Sequence, residues 1–360
     1  MTIVGLAPLA VAEATELARL SLREPDRKRR ESQATWIAAE SAGSPFFVQE
    51  LVRYLQSGTT SDLPGLEGLS LEQATLARVM LLSASERKLL EVVCVAGVPM
   101  PEDVVLEAAN LQENEHLGVA VLRSASLVRS QKNAGGSEYL DSYHDRIREA
   151  VTAALSMNER RQINLQVARS YERLHPLEHS PLAIFYDRAQ EKEKAGEHAL
   201  LAARQANESL AFERAALFFE IVLHCDLDEA ETRDVRTLYA EALANSGRGA
   251  EAAPQYMQAA QGANEANNLE LRRLAMEQFL QTGHMQEGLR VMTDVLDDVG
   301  LSIASSSSRA LASFLVRRAA LRIRGLGFRE RDASQISEAQ LRRIDVCWSS
   351  AMGVGINDPI

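Results

Sequence analysis

A histidine and an aspartate stand together where one type of sequence pattern gives way to another. The segment EYLDSYHDRIREAV, residues 138–151, alternates in polarity up to His144 and Asp145 and then takes the spacing of an amphipathic helix. An imidazole at such a junction can be part of a ligand site, act as a switch or cap the helix. The residues alone leave these three interpretations open.

The other histidines do not indicate a metal site. His175 and His179 have the i,i+4 spacing of a ligand pair, but Pro176 lies between them and breaks any helix that would place both on one face. The three cysteines, which are Cys94, Cys225 and Cys347, stand far apart without metal-ligand spacing. We therefore expect reduced thiols, no disulfide framework and no metal.

Catalytic motifs are also missing from the sequence. There is no GxxxxGK[ST] phosphate loop, and Gly135-Gly136 is not followed by a lysine and a helix. No protein-kinase signature and no GxSxG nucleophile motif occurs. We therefore predict no catalytic residue in this chain.

Length and charge narrow the classes of function. With 360 residues and 46% apolar content, the chain can form two or three domains with real cores. The net charge of −11 disfavours binding to nucleic acid or an anionic membrane. A local exception is residues 309–343, with nine arginines against three acids, which fits either an acidic partner or a solvated helix. The sequence has no membrane span or signal peptide, so we expect a cytoplasmic protein.

The first 70 residues have a helical pattern with breaks. Residues 8–22 predict a short amphipathic helix, and residues 23–32 are expected to be a charged break. Two helical segments follow on either side of Gly43-Ser44-Pro45, because proline cannot continue a helix. Residues 57–70 have the composition of a linker.

The next segment predicts a winged-helix outline. Three helices are expected between Ser70 and Ala109, with capping-box spacing from Ser70 to Gln73 and from Ser83 to Glu86. A fourth helix is expected around residues 114–125. An alternating stretch that turns at residues 133–136 then predicts a β-hairpin.

From Asp145 onward the sequence is helical and contains a weak repeat. At an offset of 36 residues, Leu238 aligns with Leu274 and Gly247 with Gly283. This period is close to that of a tetratricopeptide (TPR) repeat, so residues 197–300 should form antiparallel helix pairs without a strand. The serine run at 305–308 is expected to be a loop, and the sequence stops inside a helical pattern as if truncated.

Two segments resemble a known family. AESAGSPFFVQELVRYL, residues 39–55, resembles the GNPFFVEEL-type segment in the helical lid of STAND signal-transduction ATPases, which are AAA-like proteins. SYHDRIREAV, residues 142–151, resembles the His-Asp segment of that family's winged helix and is similar to the Met-His-Asp motif of plant immune receptors. Residues 328–360 resemble the repeat region of large bacterial Ser/Thr protein kinases that carry such an ATPase module.

The resemblance implies a nucleotide site in an intact parent protein. The Gly-x-Pro segment would correspond to Gly43 and Pro45, with the proline packed against the base, and His144 would contact the β-phosphate of ADP in the off state. Asp145 would cap the helix that follows. No cofactor is expected for this chain alone, because the phosphate loop is missing, whereas the parent would bind ATP or ADP. The structural alternative is that Pro45 only starts a helix and that His144 is a satisfied side chain beneath the hairpin.

Together these patterns predict a mainly α fold. It would comprise a helical lid at residues 1–60, a winged-helix domain at 70–155, a TPR-like α-solenoid at 156–304 and a helical continuation at 305–360. The predicted function is that of a non-catalytic signal-transduction fragment, which is a protein-interaction scaffold coupled to a STAND nucleotide switch. Its expected partners are another protein or upstream ATPase or kinase domains. The alternatives are the distal part of a Ser/Thr protein kinase or ATPase, and a winged-helix transcription regulator, which the acidic charge disfavours.

Overall fold

The computed structural model describes residues 7–56, 71–111, 116–133, 136–302, 307–327 and 330–357. Within these ranges the chain forms α-helices and one small antiparallel sheet, so the predicted mainly α class is confirmed. The chain divides into two compact units. The first contains Met1–Pro181 and Arg188–Gln190, and the second contains Leu182–Asp187 and Glu191–Ile360.

The first unit opens with three helices, α1 (Val11–Ser21), α2 (Arg27–Glu40) and α3 (Pro45–Gln56). The expected charged break at residues 23–32 is wrong, because α2 begins inside it. The side chain of Asp26 accepts a hydrogen bond from the backbone N–H of Arg29 at 2.7 Å and so caps this helix. The core between the three helices contains small and aliphatic side chains: Ala14, Ala18, Ala34, Ile37, Val48 and Leu51.

The rest of the first unit is built around a three-stranded sheet. Its elements are α4 (Leu71–Met80), α5 (Ala84–Ala96), β1 (Met100–Pro101), α6 (Glu102–Ala108), α7 (His116–Ser124), β2 (Val128–Lys132), β3 (Glu138–Ser142), α8 (Asp145–Ala154) and α9 (Met157–Leu174). From α5 to β3 this part of the chain has the predicted order of helices followed by a hairpin, with β1 added between α5 and α6. Its core includes the fully buried Leu89, Leu90, Met100, Leu122, Leu127, Leu140 and Ile147.

The sheet confirms the predicted hairpin and adds one strand to it. The strand order is β1-β3-β2, with Val128 opposite Ser142 in the hairpin and Met100 opposite Leu140 at the other edge. A strand of two residues is too short to show a period-two pattern, which is why β1 was not predicted. The capping box from Ser83 to Glu86 is present.

Some predictions fall on residues outside the described ranges. These include the linker at residues 57–70 with the capping residue Ser70, the start of the fourth helix at 114–115, Ala134 and Gly135 in the hairpin turn, and residues 305 and 306 of the serine run. The predicted loop at 305–308 is wrong at its end, because the next helix already begins at Ser307.

The second unit contains a stack of helices in which each helix packs against the next. These helices are α11 (Lys192–Glu208), α12 (Phe212–Leu223), α13 (Glu229–Asn245), α14 (Gly249–Ala260), α15 (Glu265–Gln281) and α16 (Met285–Asp298), while α10 (His179–Arg188) contributes residues to both units. Residues 197–300 are all described and include no strand, as predicted. The paired glycines Gly247 and Gly283 both have positive φ, 83° and 81°, in the turns between helices.

Two further helices follow the stack. They are α17 (Ser307–Arg324) and α18 (Glu338–Asn357), with a short 3-10 helix at Ala333–Gln335 between them. Val346 of α18 is buried in the core formed by α15 and α16. Among the described residues, no helix is long and apolar enough to cross a membrane.

Candidate functional site

His144 forms the N-terminal cap of α8. Its Nδ1 accepts a hydrogen bond from the backbone N–H of Arg146 at 3.2 Å. The predicted cap, Asp145, is therefore wrong; its carboxylate instead accepts a hydrogen bond from Arg148 at 2.6 Å. Because Nδ1 acts as the acceptor, a neutral His144 carries its proton on Nε2. That N–H is the donor the ring can offer to another group.

Two aromatic side chains from α3 pack on the His144 ring. The ring of Phe46 lies parallel to the imidazole, with centroids 5.2 Å apart and planes 4° apart. Phe47 meets the imidazole edge-on at 4.8 Å, and Tyr143 stacks on Phe46 at 5.1 Å. These separations are typical of attractive aromatic pairs. The segment that resembles the lid motif and the segment that resembles the His-Asp motif are thus in direct contact.

Gly43 has a complete structural reason to be glycine. It is buried with φ of 77°, and its carbonyl accepts a hydrogen bond from the N–H of Leu9 at 2.8 Å. A Cβ at this position would collide with the carbonyl oxygen of Leu9. Gly43 therefore lets the chain turn closely past Pro8 and Leu9 before α3 begins.

Pro45 is the first residue of α3 and is exposed. Proline suits this position, since the first helical amide has no partner in the helix and φ is already helical. Pro45 directly precedes Phe46, whose ring stacks on His144, so the exposed proline and the imidazole belong to two segments that are in contact. Such a pair can contact a ligand with an apolar ring and an anionic group.

A charged cluster one turn further along α3 was not predicted. The side chain of Glu50 is 7% exposed and pairs with Arg53 at 2.9 Å and with Arg78 of α4. Arg78 also donates to the carbonyl of Ala125 at 2.7 Å, and Arg53 donates to the hydroxyl of Ser126 at 3.0 Å. Burial lowers the pKa of the Arg78 guanidinium, because the charged form loses contact with water.

This cluster attaches α3 to the part of the first unit that carries the sheet. The signal in the sequence was a glutamate among the apolar positions of α3, where Val48, Leu51 and Val52 are buried. A buried carboxylate requires a cationic partner, so this position could have been marked before its partner was known.

The remaining histidines and cysteines that the structure describes do not form a metal-binding cluster. His175 ends α9 and lies 3.4 Å from a carboxylate oxygen of Asp103, whereas His179 begins the next helix. No group of three or more metal-binding side chains occurs in the part of the chain that the structure describes. Burial raises the pKa of the Cys94 thiol, which therefore stays protonated.

Comparisons with solved structures identify similar proteins. No family model matches the chain, and no curated protein matches it. The crystal structure of a STAND protein with a tetratricopeptide repeat sensor, from Pyrococcus horikoshii, is similar to 99% of this chain at 13% identity and a TM-score of 0.43. The match covers 55% of that protein, so this chain spans about half of its length.

Proposed function

We propose that this chain is a non-catalytic signalling module of the STAND type, which acts in the cytoplasm as a protein-interaction scaffold. The observation that supports this most is the packing of Phe46 and Phe47 on His144. This contact joins the Gly43–Pro45 segment to the end of the hairpin, and these are the two segments that carry the resemblance. In this proposal neither segment carries a catalytic residue. Each contributes to a contact that changes when a nucleotide binds.

The proposed site recognises an adenine nucleotide from two sides. The exposed ring of Pro45 offers an apolar surface for the base, and the Nε2–H of His144 offers a donor for a phosphate oxygen. The backbone bond to Nδ1 and the ring of Phe46 hold the imidazole in one orientation. The phosphate loop would come from an ATPase domain, and ATP or ADP would bring the phosphate charge that His144 recognises.

A signal would pass through α3. This helix carries Phe46 and Phe47 at one end and the buried Glu50 cluster one turn later. Phe46 and Glu50 belong to one rigid helix. A ligand that alters the contact between Phe46 and His144 would therefore also disturb the ion pair between Glu50 and Arg78. The stacked helices of the second unit provide the surface for a protein partner, because such stacks expose one extended side.

An enzyme of which this chain is the distal part is the alternative. In that case a Ser/Thr protein kinase or ATPase domain would precede the site, and this chain would regulate it in the same manner. The third interpretation, DNA binding, is disfavoured by α7, the helix that would enter a DNA groove. Its one arginine, Arg123, already pairs with Glu102 at 3.2 Å and Glu138 at 2.7 Å.

The test is titration of the full chain with Mg-ADP, followed by NMR of the imidazole groups. Without the phosphate loop the chain should not retain a nucleotide as a cofactor, so we expect only a weak, saturable shift of the His144 resonances, with a dissociation constant on the order of 1 mM, about −4 kcal/mol, from the two contacts that the chain offers. AMP, which lacks the β-phosphate, should not shift them, and the exposed His284 should not respond to either nucleotide. An unchanged His144 spectrum at saturating ADP would overturn the nucleotide part of the proposal.

A further inference from the structure

Two consecutive helix pairs of the stack can be compared position by position. Helices α13 and α14 form the first pair, and α15 and α16 form the second. α13 and α15 begin and end 36 residues apart, and α14 and α16 begin at the same offset. Each position of the first pair therefore has a counterpart in the second, and the counterparts show how each pair uses its charged side chains.

An arginine recurs at the same place in both pairs, but its partner does not. In the second pair, Arg272 of α15 donates a hydrogen bond to the carboxylate of Asp298, at the end of α16, at 2.6 Å. Its counterpart Arg236, in α13, donates to the amide oxygens of Gln255, at 3.0 Å, and of Gln258. Among the described residues, an arginine that meets a carboxylate in one pair thus meets only neutral groups in the other.

The end of α14 lacks the carboxylates that the end of α16 carries. Three aspartates of the second pair correspond to uncharged residues of the first: Asp294 to Gln258, Asp297 to Gln261 and Asp298 to Gly262. Opposite this neutral end, α13 carries a further arginine, Arg233, where α15 has Leu269. The first pair therefore has fewer carboxylates and one more cation at the same place.

The guanidinium group of Arg233 reaches the turn after α14. A Cβ added to Gly262 would lie 3.2 Å from Nη1 of Arg233. In the part of the chain that the structure describes, Arg233 has no ion pair, although the exposed Glu229 stands four residues before it on α13. Like charges three residues apart on a helix repel each other, so Arg233 and Arg236 favour an anion between them.

These side chains line a cavity of about 550 Å³. Its α13 side includes Arg233 and Arg236, and its α14 side consists of Gln258, Gln261 and Gly262, which are all exposed. A pocket for a small molecule usually encloses most of its ligand. An open polar cavity instead suits one side chain of a peptide that passes over the surface, and guanidinium groups bind a carboxylate through two parallel hydrogen bonds.

We propose that this cavity binds a carboxylate side chain from an acidic segment of a partner protein. The inference rests on the proposed scaffold function, because it names the chemistry of the partner that the stack recognises. The partner's carboxylate takes the place that Asp298 fills in the second pair, which favours a carboxylate over a phosphate. The chain has a net charge of −11, so general electrostatic attraction does not explain binding of an acidic peptide.

The test is fluorescence anisotropy of a dye-labelled peptide of alternating aspartate and glycine, titrated with the full chain. We expect saturable binding, and at least tenfold weaker binding of a peptide with asparagine in place of aspartate. Arg233→Gln and Arg236→Gln should each weaken binding about tenfold, the usual loss for one hydrogen bond between charged groups. Arg290→Gln, which removes an exposed arginine of α16, should leave it unchanged.

A carboxylate placed inside the cavity should replace that of the peptide. Gly262→Asp puts one at the counterpart of Asp298 and keeps both arginines, and aspartate tolerates the φ of 74° at this position. We expect this variant to lose peptide binding at least tenfold. The matched control is Gly262→Asn, which has the same shape without the charge and should bind as the wild-type chain does.

The possible outcomes separate this site from the nucleotide site. No binding of the aspartate peptide, or an equal loss in Gly262→Asp and Gly262→Asn, would overturn the inference. Succinate or inorganic phosphate that binds as tightly as the peptide would also overturn it and would assign the cavity to small anions. If ADP shifts the His144 resonances but the peptide does not bind, this inference fails and the nucleotide part of the proposed function stands.

Discussion

The two units of the chain hold their helices together by different means. In the first unit, α3 is attached by a few specific contacts between residues far apart in sequence, such as Phe46 with His144 and Glu50 with Arg78. In the second unit, consecutive helices meet through small side chains that recur with the repeat. Four of these are fully buried: Ala215, Ala216, Ala252 and Ala253.

This difference agrees with the proposal that the first unit acts as a switch and the second unit as a scaffold. A contact made by two or three residues can be broken or made as a unit, so the first unit is suited to change state. A stack of similar helix pairs spreads its stability over many small contacts between neighbours. Substitutions in the first unit should therefore have large and local effects, whereas those in the second should be moderate and similar from repeat to repeat.

The largest effect is expected from Gly43→Ala. The new Cβ would collide with the Leu9 carbonyl in a backbone conformation that already disfavours side chains, so the two costs add and we expect a loss of about 4 kcal/mol of unfolding free energy. Denaturant unfolding measures it. The control is Gly97→Ala, which has φ of 70° but only ordinary contacts at 3.9 Å, and should cost about 1 kcal/mol. Equal losses would mean that the Leu9 contact is not tight.

Glu50→Gln should come next. The amide keeps the shape of the side chain but removes the charge, which leaves the half-buried Arg78 without its carboxylate, at a cost of about 3 kcal/mol. The matched control is Glu149→Gln. Glu149 pairs with Arg146 at 3.3 Å, but the two side chains are 62% and 65% exposed, so removing this pair should cost at most about 0.5 kcal/mol. If the two variants lose the same unfolding free energy, the Glu50 cluster does not attach α3 to the rest of the first unit.

In the stack, Ala253→Leu should have a moderate effect. Ala253 is fully buried in α14, and a larger side chain must push the neighbouring helices apart, at a cost of about 2 kcal/mol. Ala250→Leu in the same helix adds the same atoms at an exposed position and should be nearly neutral. Thermal unfolding of the two variants compares them directly, and similar melting temperatures would count against tight packing at Ala253.

The smallest effects are expected in the pH dependence of stability, and the first of them concerns Glu241. Burial raises the pKa of Glu241 above its usual 4.5, so its ionised form is less favourable in the folded state. Folding is therefore not opposed by Glu241 at low pH, where the side chain is protonated. The free energy of unfolding falls as the pH rises through the pKa of Glu241 in the folded state. Glu241→Gln should therefore stabilise the chain slightly at pH 7 and leave it unchanged in acid.

The contribution of Glu251 to stability should change with pH in the opposite direction. Its hydrogen bond with Arg248 lowers its pKa, so its contribution is present at neutral pH and is lost as the pH falls. Glu251→Gln should cost a little at pH 7 and nothing in acid. Urea unfolding at several pH values provides the comparison, and changes of the same sign for both variants would contradict these assignments.

Local sequence patterns predicted the helices and strands more successfully than they predicted the contacts between these elements. The repeated glycines Gly247 and Gly283 and the Ser83 capping box depend on nearby residues, and the structure has them where they were predicted. The start of α2 at Arg27 was missed because a run of charges conceals a helix whose apolar positions come later.

The candidate site was predictable only in part. A resemblance marked Gly43, Pro45 and His144, but nothing in the local sequence shows that Phe46 packs on His144 almost a hundred residues away. The assignment of the cap to Asp145 was wrong because either residue of a His-Asp pair can bond to the first amides of a helix. Only the backbone geometry decides between them.

The most direct measurement concerns the contact between Phe46 and His144. Protons of an imidazole stacked on a phenyl ring move upfield, so the carbon-bound protons of His144 should be shifted in the NMR spectrum of the wild-type chain. Phe46→Leu should return them toward their ordinary positions, while the signals of His284, which lies near Phe279 instead, stay fixed. Identical His144 signals in both proteins would show that the lid segment and the hairpin do not meet, and the proposed nucleotide-sensing contact would fail with them.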